Sequence, residues 1–159
     1  MNLLTQNTKL KKTSKALGLR VFNFGIPAYK SADFVEAMNT EIRKKKPDYV
    51  RVHDSGDYYS RAYLNKWIEV AKANPNVRFY SYTNMIDMML KTSLPSNYDI
   101  IFSDSGKQKH LINETKHRHT KIFSNASDLE AAGYIDSSSI DLMATRWFNK
   151  TKKVGLIFH

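Results

Sequence analysis

Two stretches of this chain could do chemistry. His53-Asp54-Ser55-Gly56-Asp57 and Ser103-Asp104-Ser105-Gly106 each set a carboxylate beside a hydroxyl and a glycine. His53 with Asp54 is a pairing that suits a general base, an imidazole with a carboxylate to orient it. Adjacent residues on a strand point to opposite faces, so only a bend brings both into one site. Asp54 and Asp104 could instead share a ligand hydroxyl, an ammonium group or a metal ion. His53, Asp54 and Asp104 are therefore the candidate catalytic residues. The same residue types also make turns and cap helices, and both readings stay open at this point.

A third cluster lies between Gly106 and Thr120, where His110, His117 and His119 occur. His-x-His on an extended segment puts both imidazoles on one side, as a metal pair would need. A carboxylate from Asp54 or Asp104 would complete a facial triad. Lys116 and Arg118 interleave with the histidines and would repel a cation. The segment reads better as a basic surface loop, and no metal ligand is assigned. The chain holds six glycines and neither a Gly-x-Gly-x-x-Gly phosphate loop nor a Gly-x-Ser-x-Gly elbow.

Elements that alternate must position these residues. Leu17–Phe24 reads as a first strand, and Ser31 can cap a helix with Phe34, Val35, Met38 and Ile42 on one face. Pro47 stops it, and Arg43–Lys46 suits the negative end of its dipole. Tyr49–His53 is the second strand. Ser60 caps a helix bearing Leu64, Trp67, Ile68 and Ala71. Val77–Tyr82 is the third strand, Asn84 caps a short helix, and Tyr98–Phe102 is the fourth strand. Lys121–Ser124 is a short fifth strand. Asn125 caps a brief helix that stops at Gly133. Ser139–Phe148 can hold another short helix, and the closing Lys-Val-Gly-Leu-Ile-Phe-His is a sixth strand.

Strands alternating with helices predict an α/β fold. The expectation is one domain over residues 1–159, with a mostly parallel, curved sheet of about six strands forming an open, partial barrel. In such sheets ligands bind at the C-terminal strand ends. Those ends carry Asn23, His53, Asp54, Asp57, Tyr82, Asn84, Asp104 and Ser105. Asn23, Asp57, Tyr82, Asn84 and Ser105 are thus candidate ligand contacts beside the catalytic candidates.

Composition narrows the classes. The formal charge is +10, with nine Tyr, eight Phe and two Trp, which fits a folded chain rather than a disordered one. Lys44, Lys45, Lys46, Lys107, Lys109 and Arg118 lie in cationic clusters that would suit nucleic acid or acidic ligands. No helix-turn-helix, zinc-finger or RNA-recognition signature accompanies them. There is no cysteine, which excludes disulfides and cysteine-ligated zinc or iron–sulfur clusters, and no cofactor is expected. No apolar run would span a bilayer and no signal peptide is evident, so the expected location is the cytoplasm.

The blocks Leu-Gly-Leu-Arg-Val-Phe-Asn-Phe-Gly-Ile-Pro-Ala-Tyr-Lys-Ser, Asp48–Asn84, His117–Ser138 and the closing Lys-Val-Gly-Leu-Ile-Phe-His resemble successive segments of the phage and plasmid gene-product-eighty-eight family. Arg51–Asn84 is the most specific of them. The second and third blocks are also distantly similar to the strand ends of radical S-adenosylmethionine barrels. The family is of unknown function, so the resemblance implies a fold and a site location rather than a reaction. Family members carry a cysteine-rich segment after the Ala-Tyr-Lys-Ser block. Here Ser31 runs straight into Ala32-Asp33-Phe34. If the family uses those cysteines to hold a cluster or metal, the resemblance implies that this chain is a deletion form, a binding remnant, or an enzyme that works without the metal. The expected function is binding of a small polar or nucleotide-like ligand at the strand ends. The alternative is a basic accessory protein for nucleic acid.

Overall fold

The computed structural model describes residues 4–5, 21–24, 34–53 and 56–158. The chain divides into two compact units, Met1–Ser81 with Thr92–Asp99, and Tyr82–Lys91 with Ile100–His159.

The first unit holds β1 (Leu4–Thr5), β2 (Val21–Phe24), α1 (Phe34–Lys45), β3 (Tyr49–Val52), α2 (Arg61–Ala73) and the start of β4 (Arg78–Thr83). Its strands follow the order β1-β2-β3-β4. β1 is antiparallel to β2, and the remaining pairings are parallel, with Val21 opposite Tyr49 and Tyr49 opposite Arg78. α1 forms because Phe34, Met38 and Ile42 recur at helical spacing and are all buried. It ends where Lys46 turns to a positive φ of 48° just before Pro47. α2 starts on Ser60, whose hydroxyl accepts the Tyr63 backbone N–H at 3.1 Å. Its buried side, Tyr63, Leu64, Trp67, Ile68 and Ala71, packs on α1, with Phe34 edge-on to Trp67 at 5.4 Å. Trp67 is fully buried, and truncating such a residue to Ala costs roughly 3–5 kcal/mol. One amide fixes the turn after α2. The Asn97 Nδ2 donates to the carbonyls of Ala71, Asn74 and Val77 at 2.9, 3.1 and 2.8 Å.

The second unit holds α3 (Ile86–Leu90), most of β5 (Tyr98–Phe102), β6 (His119–Phe123), α4 (Ala126–Ala131), β7 (Ile135–Asp136) and β8 (Lys153–Ile157). Its strand order is β5-β6-β8-β7, and every pairing is parallel. Asn125 caps α4 by accepting the Asp128 N–H at 2.9 Å, and Gly133 follows at φ +75°. Leu129, Tyr134, Leu142 and Val154 are buried here. Among the described residues β1 pairs only with β2 and β7 only with β8, so the strands do not close into a barrel.

The α/β reading, the mainly parallel pairing and the alternating helices hold. Four local expectations change. Asn84 does not cap α3. The Thr83 hydroxyl accepts the Met85 N–H at 3.0 Å, and the Gln108 side chain accepts the Asp87 N–H at 2.9 Å, so the helix start is served from other positions. The fifth strand begins at His119, two residues before Lys121. Ser139–Phe148 contains only a 3-10 turn at Asp141–Ala144. β1 and β7, two residues each, were too short to leave an alternating pattern. Residues 17–20 and Ser31 lie outside the described residues.

Candidate functional site

His53 directly follows β3, at its C-terminal end. Its φ of 69° lies in the left-handed region, uncommon for a residue other than glycine. The bend turns the ring inward, and the residue is only 5% exposed. Nε2 lies 2.7 Å from the Tyr63 hydroxyl. The ring also meets Tyr58 edge-on at 4.7 Å. Nδ1 finds no hydrogen-bond partner among the described residues. Burial pushes His53 down to about 4, against an upward pull from the Asp57 carboxylate, while Arg51 adds to the downward push. His53 is therefore neutral near pH 7.

The surroundings are phenolic. Asp57 is half-buried and accepts the Tyr58 backbone N–H at 2.7 Å. The Tyr58 hydroxyl bonds Ser81 at 2.6 Å and also the Tyr98 hydroxyl. Burial pushes Tyr58 and Tyr98 well above the ordinary tyrosine range, so both stay protonated. Tyr63 is raised as well, chiefly by burial. The end of β3 thus offers one neutral imidazole, held by a phenol, in a dry aromatic setting.

The end of β5 differs. Ser103, Asp104, Ser105, Thr120, Lys121, Ile122 and Leu156 line an open cleft of about 220 Å³. The Ser103 and Ser105 hydroxyls bond each other at 2.8 Å. The Asp104 backbone N–H reaches the Thr120 hydroxyl at 3.4 Å. Gly106 is required by space, since a Cβ there would lie 2.5 Å from Asn84 Oδ1 and 2.9 Å from Asn84 Cβ. A lining that combines a carboxylate, hydroxyls and an ammonium with the apolar Ile122 and Leu156 could hold a small polar molecule.

The histidine-rich segment is mostly committed to structure. His110 Nδ1 donates to the Lys107 carbonyl at 3.2 Å. His117 Nδ1 accepts the Asn113 N–H at 3.0 Å. Burial lowers its pKa first, and the charges of Lys116, Lys152 and His119 add to that. His119 is buried, with Nδ1 donating to the His117 carbonyl at 2.9 Å and Nε2 hydrogen-bonded with the Tyr134 hydroxyl at 2.8 Å. Among the described residues no group of three or more His, Asp or Glu could hold a metal ion. A cysteine-ligated cluster has no ligands in this chain. The Arg118 guanidinium is tied to the carbonyls of Ala144 and Asn149 at 3.1 and 2.7 Å, which anchors the loop before β8. Lys44, Lys45, Lys46, Lys107 and Lys109 are exposed.

The candidate residues are thus distributed. His53 and Asp57 belong to the first unit, and Tyr82, Asn84, Asp104 and Ser105 to the second. Asn23 occupies a backbone position in β2 opposite Arg51 and Thr5. Asp54 lies outside the described residues. Tyr82 donates to the buried Asp141 carboxylate at 3.3 Å. Sequence reasoning missed Tyr58, Tyr63, Ser81 and Tyr98 around His53, and Thr120 and Lys121 in the cleft. Ser81 inside an aromatic strand was the visible sign of the first group, because a hydroxyl buried among rings needs a partner.

Fold and strand-end chemistry define a parallel α/β protein with polar residues at the C-terminal edges of its strands. The chain belongs to the Gene product 88 family, whose sequence profile it matches over residues 26–156. It is similar to the Gene 88 protein of Mycobacterium phage L5, 37% identical over 54 residues, which cover 34% of this chain and 21% of that protein. It is also similar to the Gene 88 protein of Mycobacterium phage D29, 32% identical over 74 residues, which cover 45% of this chain and 30% of that protein. The matches therefore span less than a third of either relative. No solved structure matches the chain. The distant likeness to radical S-adenosylmethionine barrels remains an expectation of the sequence alone. Among the described residues no helix is long and apolar enough to cross a membrane.

Proposed function

We propose that this chain binds a small polar or nucleotide-like ligand at the C-terminal ends of its parallel strands, with His53 as the principal contact. The observation that carries the reading is the unpaired, buried Nδ1 of His53 on a left-handed backbone. Buried polar atoms are nearly always satisfied, and an exception is explained by strain, a catalytic role, or a bound water, ion or ligand. Strain of this kind concentrates at ligand sites. Asp57 is the adjacent carboxylate. If the bound molecule is also transformed, neutral His53 is the group placed to take or give a proton. A thermal-shift screen of nucleotides, nucleosides and small polar metabolites tests the reading. At least one compound should raise the melting temperature of the wild type saturably and leave a folded His53→Gln variant unchanged. Equal shifts in both proteins for every compound found would remove it.

A second reading rests on charge. Arg43, Lys44, Lys45 and Lys46 are four consecutive exposed cations at the end of α1, in a chain of net charge +10. Such a cluster would favour nucleic-acid phosphates, with an affinity that falls steeply as salt rises. Filter binding at low salt that retains neither DNA nor RNA would eliminate this reading.

A further inference from the structure

The cleft beyond β5 lies where one strand ends and its neighbour runs on. β5 and β6 are in register at Phe102 and His119 alone, while β6 stays paired with β8 as far as Phe123 and Ile157. Arg118 gives its carbonyl to the Phe102 N–H at 2.9 Å, and His119 turns its N–H the other way, to the Lys152 carbonyl at 3.0 Å. Peptide units alternate in direction along a strand, so Thr120 and Ile122 present theirs to the β5 side. There the ladder has already ended, and the Ile122 N–H is left for a partner that is not a strand of the sheet. The departing chain brings Ser103, Asp104 and Ser105 to the same cleft. Whichever serine hydroxyl donates to the other, one O–H of the pair remains to give. The Asp104 carboxylate has no hydrogen bond or ion pair among the described residues. Lys121 adds a positive charge to the same lining. Ile122 is 57% exposed and stands opposite Leu156 in register, so the two apolar side chains share a face. The volume, about 220 Å³, is below the roughly 300–1,000 Å³ of pockets for drug-sized ligands, which sets the occupant as small.

We propose that this gap between β5 and β6 is a second binding site, for a free amino acid with a short aliphatic side chain. The ligand ammonium pairs with the Asp104 carboxylate. The ligand carboxylate accepts from the Ile122 N–H and from the serine pair, on a lining that also carries the Lys121 charge. The aliphatic side chain lies on Ile122 and Leu156. A charge of each sign, hydrogen-bond donors and an apolar pair are thereby all matched by one small zwitterion. The site lies wholly in the second unit and does not depend on His53.

The test is NMR of the full chain labelled with nitrogen-15 and titrated with alanine, valine and leucine. At least one should shift the backbone amides of Ile122 and Leu156 saturably. No saturable shift there with any of the three overturns the site and leaves the His53 reading standing. The amine and the acid that each keep one charged group of the ligand, isobutylamine and isovalerate for valine, should bind at least about tenfold more weakly. Either of them binding as tightly as the amino acid overturns the zwitterion assignment. Asp104→Asn should weaken the amino acid by about tenfold and leave the affinity for the acid unchanged. A folded Asp104→Asn that binds the amino acid as the wild type does overturns the ammonium contact. Should that variant fail to fold, the comparison of amino acid, amine and acid on the wild type still decides the ligand class.

Discussion

The end of β3 is closed and aromatic, whereas the end of β5 is open and lined by hydroxyls. Both follow a Tyr-led apolar run, and both spell Asp-Ser-Gly. At β3 the chain bends at His53 and buries the imidazole under Tyr58 and Tyr63. At β5 it passes through Ser103, Asp104 and Ser105 along a cleft. Even the glycines serve different ends. Gly56 adopts φ +93°, which few other residues tolerate, while Gly106 makes room for Asn84. The contrast shows that a tripeptide sets the polarity of a strand end, and the packing around it decides which atoms remain available. The closed end joins the Tyr58, Ser81 and Tyr98 hydroxyls and leaves His53 Nδ1 without a hydrogen-bond partner among the described residues. The open end joins the Ser103 and Ser105 hydroxyls along a cleft.

The largest test of that contrast is pH. His53 sits at about 4 when folded, below its ordinary 6.5. Between those values the unfolded chain binds a proton that the folded chain does not. The stabilising contribution is present above pH 6.5 and is lost as pH falls toward 4, by about 3 kcal/mol. Unfolding free energies of wild type and His53→Gln should therefore converge across that window, and parallel curves would show that the β3 end is not closed. Next in size, Tyr58→Phe leaves Ser81 and Tyr98 short of a partner and should cost about 2 kcal/mol in chemical denaturation. A neutral result would mean that water already reaches those hydroxyls. Gly106→Ala drives a methyl into Asn84 and should cost about 1 kcal/mol. Adding Asn84→Gly should recover most of it, and no recovery would place the strain elsewhere. Smallest of all, Ser105→Ala at the open end is exposed and should change stability by less than about 0.5 kcal/mol. A loss as large as that of Tyr58→Phe would erase the distinction between the two ends.

Periodicity made the helices and the longer strands legible. Phe34, Met38 and Ile42, or Leu64, Trp67 and Ile68, state a buried face without help from elsewhere in the chain. Short or borrowed structure was not legible. β7 has two residues and exists because Ile135 and Asp136 pair with Val154 and Gly155. The start of α3 is served by Thr83 and by Gln108, far along the chain, rather than by Asn84. Of the site, the strand ends could be located, because Asp, Ser and Gly follow apolar runs. Their states could not. The depressed pKa of His53 comes from burial beneath Tyr58 and Tyr63, and no spacing in the sequence announces it. Arg118 reads as a free cation in a basic run, yet two backbone carbonyls hold it.

The strand order of the second unit has a consequence for how this protein is made. β8 lies between β6 and β7, although both precede it in the chain. During synthesis β6 and β7 emerge first, and neither can pair with the other across the empty place. One edge of β6 and one of β7 therefore wait for Lys153–Ile157, the last described strand to leave the ribosome. Unpaired edges invite association with other chains, and long-range parallel pairing is slow to form. Lys121, carried on the waiting β6, keeps a charge beside that edge during the interval.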